Sequence, residues 1–200
     1  MDKLDIAVVP GDGVGSEVMA EGLKVLRTAA RIHGGLEFRL REFPWGCEHY
    51  LKTGRMMDEN GLDALADHEA ILLGAVGAPG IVPDHVSLWG LLLPIRKTFD
   101  QYVNLRPIKL LQGVPGRLVG KGPEDIDFVV VRENTEGEYS GVGGRVHIGT
   151  PYEVAVQSNI FTRTGTERIM RYAFDLARAR NKSKSVVSVT KSNACNYSMV

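Results

Sequence analysis

A two-domain α/β fold, with a parallel-rich sheet in the first domain, is what this sequence predicts, on three observations. Short β-branched or apolar runs alternate with amphipathic helical stretches through the first hundred residues. Glycine turns join them, as strand-to-helix connections in parallel sheets require. Past about residue 108 the texture changes to glycine-rich polar segments broken by strong strands, which marks a second α/β domain. The change falls near residues 100–108, and the domains are taken as 1–104 and 105–200.

Asp5–Val9 is an apolar run ending at Pro10, as a buried strand does. Gly11, Gly13 and Gly15 turn it into a helix expected over 16–32, with Ser16 as N-cap. Val18, Met19, Gly22, Val25, Leu26 and Ala29 form its apolar face. Gly34 and Gly35 stop it, and residues 36–43 alternate as a second strand. A short helix over 61–67 precedes the apolar strand 70–73, which exits into the glycine loop 74–80. Leu88, Leu91, Leu92, Ile95 and Phe99 fall at helical spacing, and Pro94 among them implies a late helix start or a kink. Residues 102–107 alternate and end in Pro107, so they read as extended.

In the second half, 109–124 is loop-rich and IDFVVVR, 126–132, is a strong strand. Residues 133–149 are polar and glycine-rich, a poor core former, with Tyr139 expected in a loop. Residues 153–161 can pair as a strand, and Thr164 with Glu167 spells a capping box opening a helix to about residue 179. KSVVSVT, 184–190, reads as a strand, with a helix beginning at Lys191–Asn193. The chain stops at Val200 in an apolar, uncapped segment, so it is expected to be the front part of a longer one.

Lysine plus arginine equals aspartate plus glutamate, 24 each. No global field therefore favours nucleic acid or an anionic membrane, and a charged ligand must meet a local cluster. Cys47 and Cys195 have no metal or redox spacing, which suits a reducing cytoplasm. No apolar run approaches the ~20 residues of a membrane span, and no signal-peptide pattern opens the chain. The five histidines show no ligand pairing. These features lead us to expect a soluble, globular, cytoplasmic chain, with enzymatic activity as the expected class.

Charged and polar side chains recur at the ends of strands and helices. Arg96 leaves the helical half and Arg106 the extended half of LLLPIRKTFDQYVNLRP, so they could share one anion or serve as surface ion-pair partners. Arg132 ends a strand and Tyr139 follows it; ligands sit at strand ends of α/β sheets, and arginines near a phenol suit a proton donor, although Tyr139 taken alone reads as an ordinary packed amphipathic ring. Lys191 ends another strand, where a lysine near other cations can act as a base or simply be solvated. Gly11-x-Gly13-x-Gly15 departs from GxGxxG by one position, leaving a tight turn as the default over a dinucleotide site. Asp63 and Asp67 lie one helical turn apart with no further oxygen ligands nearby, so an exposed helix face is the default over a metal site.

PGDGVGSEV, LLGAVGAPG, IRKTFDQYVNLRP, VVRENTEGEYSG and VTKSN resemble the isocitrate/isopropylmalate dehydrogenase family of β-decarboxylating dehydrogenases over essentially the whole length. The resemblance implies that family's two-domain fold, incomplete here at the C-terminus, and a structural glycine turn. Isocitrate enzymes carry a serine and an asparagine where this chain has Gly90 and Leu92, and isopropylmalate enzymes a glutamate where it has Trp89. SLWGLLLPIR with DQYVNLRP is similar to the tartrate/D-malate group within the family. It implies NAD- and metal-dependent oxidation of a small 2-hydroxy diacid, with β-decarboxylation of D-malate.

The implied roles follow. Arg96, Arg106 and Arg132 bind the carboxylates, with Trp89 and Leu92 closing space around the substrate. Lys191 helps remove the C2 hydroxyl proton, and Tyr139 protonates C3. Asn193, with Asn104, sits near the nicotinamide. The implied cofactors are NAD, Mn2+ or Mg2+, and a monovalent cation such as K+. The metal aspartates are expected beyond this chain, and the implied partner is a second copy sharing the active site. Oxidation of 3-isopropylmalate is the alternative within the class, and a non-catalytic diacid-binding module the alternative outside it.

Overall fold

A computed structural model describes residues 2–199. The chain divides into two compact units, Met1–Phe99 and Asp100–Val200, each described by itself.

In the first unit, strands β1 (Asp2–Gly11), β2 (Leu36–Glu42) and β3 (Ala70–Ala75) form a parallel sheet in the order β2-β1-β3. Alternate residues of the central strand face opposite sides. Ile6 and Val8 pack with Met19, Leu23 and Phe38 beneath helix α1 (Val14–His33). Ala7 and Val9 join Phe43, Trp45, Leu65, Leu91 and Ile95 on the other side, with α2 (Cys47–Thr53) and α3 (Gly61–Ala66). Burial on both faces is why the central strand reads as a continuous apolar run, whereas the edge strand β2 alternates.

α1 starts earlier than Ser16, with Gly13 at the N-cap and no side-chain cap. Its packed face also differs from the expected one. Gly15 and Met19 are buried, whereas Val18 and Val25 are 52% and 67% exposed. The glycines set that rotation by letting backbones touch. A Cβ on Gly15 would lie 2.4 Å from the Pro10 carbonyl oxygen and 2.7 Å from that of Ala75. Gly15→Ala should therefore lower stability by roughly 1–3 kcal/mol, read from the denaturation midpoint; an unchanged midpoint would contradict this packing. Asp12, buried beside these glycines, accepts hydrogen bonds from the N–H groups of Cys47 (2.7 Å) and Gly77 (2.8 Å). It ties the loops after all three strands. Burial, with the Asp12 carboxylate beside it, pushes the Cys47 thiol up.

α4 (Asp84–Ser87), a π turn (Leu88–Leu92) and α5 (Leu93–Thr98) follow one another without a break. Pro94, at the start of α5, has no N–H to donate, and the wider π turn just upstream absorbs the mismatch, with Leu93 N–H bonding the Leu88 carbonyl. The extra residue changes which positions are inward. Leu91, Leu93 and Ile95 are buried, while Leu92 and Phe99 are half-buried.

The second unit contains two antiparallel pairs, β4 (Val103–Lys109) with β5 (Asp127–Glu133), and β6 (Gly137–Val146) with β7 (Val154–Ile160). Helix α6 (Arg163–Arg180) lies against β5. Three expectations are corrected here. Residues 137–146 form a strand despite their glycines, because β7 supplies a hydrogen-bonding partner. The N-cap of α6 is Thr162, whose Oγ1 accepts from Gly165 N–H at 2.9 Å, and Glu167 pairs with Arg163 instead of completing a capping box. Glu136, remote in sequence, accepts from Thr162 N–H and from its hydroxyl. Residues 184–190 have no regular structure, and Val187 and Val189 are 83% and 94% exposed. A strand exists only by pairing, and among the described residues none pairs with this segment.

Candidate active site

Directly opposed residues of an antiparallel pair share a face, and faces alternate along each strand. The β4–β5 register sets Asn104 against Arg132 and Arg106 against Val130, so Asn104, Arg106 and Arg132 share one face. Arg106 Nε donates to Asn104 Oδ1 at 3.1 Å, and Asn104 Nδ2 donates to Asn134 Oδ1 at 3.2 Å. Asn134 is buried, and its Nδ2 donates to the Gln101 carbonyl at 3.2 Å. This polar chain runs from a buried anchor to an exposed guanidinium, and it aims Arg106. Asn134 was not among the expected site residues. Its signal was a polar residue just past the strand end that carries Arg132.

Arg132 stacks on Tyr139, its guanidinium carbon 5.1 Å from the ring centre. Tyr139 is half-buried on β6 rather than in a loop. The β6–β7 register slips between Gly137 and Val142, and Tyr139 lies within that slip. Such irregularities re-aim side chains. The Gln157 amide, donating to the Glu138 carbonyl at 2.9 Å, and the Ser140 hydroxyl, donating to the Ser158 carbonyl at 3.2 Å, hold it in place. The guanidinium therefore lies over the phenol ring, and a carboxylate on Arg132 would lie beside the phenol.

The remaining expected residues lie on other elements. Lys191 and Asn193 are exposed on an irregular segment, with the Lys191 carbonyl accepting from Ala194 and Cys195 N–H at 3.0 Å, the opening of a helical turn. Trp89 and Leu92 lie in the π turn and Arg96 on α5, all in the first unit. Trp89 is 47% exposed, with the Lys97 ammonium 4.9 Å from its ring centre. Among the described residues, no three His, Cys, Asp or Glu side chains come together to hold a metal ion. Asp63 and Asp67 are no exception.

On the opposite face of β5, burial raises the Glu133 carboxyl, but hydrogen bonds from the Thr135 hydroxyl and from Glu136 and Thr135 N–H, with Arg168 nearby, outweigh it and hold the group below the usual glutamate range. A depressed carboxyl stabilises the fold above its unfolded value, and the contribution is lost as pH falls through its lower folded value. Glu133→Gln should remove that part of the acid limb, seen as a smaller fall in Tm on acidification than in the parent. Parallel acid limbs would refute it.

A family model described as isocitrate/isopropylmalate dehydrogenase matches residues 5–199. A probable tartrate dehydrogenase/decarboxylase of Bacillus subtilis is 53% identical over 199 residues, and D-malate dehydrogenase (decarboxylating) of Escherichia coli is 52% identical over 200. Each match takes in 100% of this chain and 55% of the relative, so the chain spans about half the length of the curated relatives it matches. Isocitrate dehydrogenase from Methylococcus capsulatus superposes with a TM-score of 0.71 at 25% identity, over 90% of this chain and 49% of that one.

Proposed function

Because the chain belongs to the isocitrate/isopropylmalate dehydrogenase family, we propose that the protein it forms part of oxidises a small 2-hydroxy diacid, tartrate or D-malate, and decarboxylates the latter. The observation that carries this is the cluster of Asn104, Arg106, Arg132 and Tyr139, which sets two guanidiniums, groups suited to carboxylates, beside a phenol able to give up a proton. The two relatives named for tartrate and D-malate support the substrate class.

In this reading Arg96, Arg106 and Arg132 hold the two carboxylates by charge-assisted hydrogen bonds. Lys191 takes the proton of the C2 hydroxyl, and Tyr139 gives one to C3 after carbon dioxide leaves. Trp89 and Leu92 fill space beside C3, which favours small substrates over isopropylmalate. When bound, NAD supplies the hydride acceptor and Mn2+ or Mg2+ the positive charge beside the C2 oxygen. Asn193 and Asn104 belong on the nicotinamide side, and Asn104 also aims Arg106. Residues 1–104 form the cofactor-side domain and 105–200 begin the substrate and dimerisation domain. The working unit is a cytoplasmic homodimer with a shared site.

NADH formation by the full-length protein on D-malate, tartrate and 3-isopropylmalate, with and without Mn2+, tests the reading. Turnover of either small diacid supports it. Preference for 3-isopropylmalate would move the substrate assignment, and diacid binding without NAD reduction would mark a binding module.

A further inference from the structure

We propose that Arg168, on α6, is the positioning residue that holds the anion-binding face of β4–β5 in register; the inference rests on the diacid reading above. Its guanidinium lies beneath the sheet and holds both chain ends that flank the cluster. Nη1 donates to both carboxylate oxygens of Asp100, at 2.9 and 2.8 Å. Nη2 donates to Thr135 Oγ1 at 2.9 Å and lies 3.5 Å from the Glu133 carboxylate. Its plane covers the Tyr102 ring, 4.4 Å from the centre. One side chain thus binds the segment entering β4, at Asp100 and Tyr102, and the turn leaving β5, at Glu133 and Thr135.

Two further observations mark the arrangement as built. Asp100 has a φ of +43°, a backbone that side chains other than glycine adopt rarely and that surrounding contacts must hold. Arg168 Nε is buried and has no hydrogen-bond partner among the described residues. Leaving that donor unpaired costs stability, so the contacts through Nη1, Nη2 and the Tyr102 ring must outweigh it.

The segments it clasps also meet each other through Asn134, whose N–H donates to the Tyr102 carbonyl at 3.0 Å and whose side chain reaches Gln101 and Asn104. Arg106 hangs from that same Asn104, and Arg132 lies opposite it. Arg168 touches none of the expected substrate groups, yet any slip between 100–104 and 132–135 would move both arginines. Its influence reaches the diacid through their placement. Lysine keeps the charge but has neither the fork nor the plane that these four partners use.

The test uses the full-length protein with Arg168→Met, Arg168→Lys and Asp100→Asn. KM for D-malate or tartrate should rise about tenfold or more in Arg168→Met, well beyond any rise in KM for NAD, which only Asn104 on this face would carry, with kcat less affected. Arg168→Lys should recover little. A general loss of folding would lower the active fraction without splitting the two KM values. The side-chain amide NMR signals of Asn104 and Asn134 in the parent and variants supply a readout that needs no turnover. They should shift or broaden in Arg168→Met; if that variant does not fold, Asp100→Asn and Arg168→Lys give the same reading. Unmoved amide signals, or an unchanged diacid KM in a folded variant, would overturn the inference. If the parent itself turns over no diacid, the functional reading fails while the amide signals still decide the positioning.

Discussion

Lys191→Met should lower kcat for diacid oxidation by about 100- to 10,000-fold, the range by which a positioned acid or base accelerates proton transfer. Diacid affinity should change little, because in the proposed reading the carboxylates belong to the arginines. Methionine keeps the length and apolar stem of lysine while removing the amine. The lysine lies exposed on a segment without regular structure, where losing its charge disturbs no packing. Stopped-flow NADH formation separates the chemical step from binding, and calorimetric titration with the diacid reports the affinity. Turnover within tenfold of the parent would remove Lys191 from its role.

Arg132→Met should have the second large effect, on binding. A hydrogen bond to a charged group contributes about 1.5–3 kcal/mol, so diacid affinity should fall roughly 10- to 150-fold. The loss should extend to Tyr139, since the guanidinium also covers its ring. Arg132→Lys should restore charge but little affinity, because an ammonium makes no planar two-point contact with a carboxylate. Tyr139→Phe makes the informative contrast: it keeps the ring against Arg132 and removes the hydroxyl, so binding should persist while protonation at C3 slows. Calorimetry for affinity and solvent-proton incorporation at C3 for the second step would read the two apart. Equal affinity losses in Arg132→Met and Tyr139→Phe would argue against separate roles.

Much of the first unit was legible because each element's pattern is local. The apolar runs at 5–9 and 70–73 and the alternating stretch 36–43 became β1, β3 and β2, and the alternation between strands and helices fixed their parallel pairing. The face of α1 was misjudged because Val18 and Val25 have the same hydropathy as the residues that do pack, and only the close backbone approach at Gly15 sets the rotation. Pro94 announced an irregularity but not its kind; the choice of a π turn depends on the packing of Leu91 and Ile95.

In the site, residue types announced themselves and their relations did not. Arg106, Arg132 and Tyr139 stood out as charged or phenolic groups near strand ends. Asn134 and Arg168 did not, since their partners lie 30 and 68 residues away. The capping pattern at Thr164 and Glu167 was outcompeted by Thr162 with Glu136, 26 residues removed in sequence. Residues 184–190 have the composition of a strand, and among the described residues no partner makes them one.

By itself, then, the sequence determined the parallel α/β core, the change of texture near residue 100 and the family, since periodicity, turn glycines and motif strings are properties of neighbouring residues. Tertiary structure alone decided that Tyr139 rides a slipped strand against Arg132, that Asn104 and Asn134 aim Arg106, and that Arg168 clasps both ends of the cluster. These are contacts between segments remote along the chain, and their geometry is set by register and packing, which no local pattern encodes.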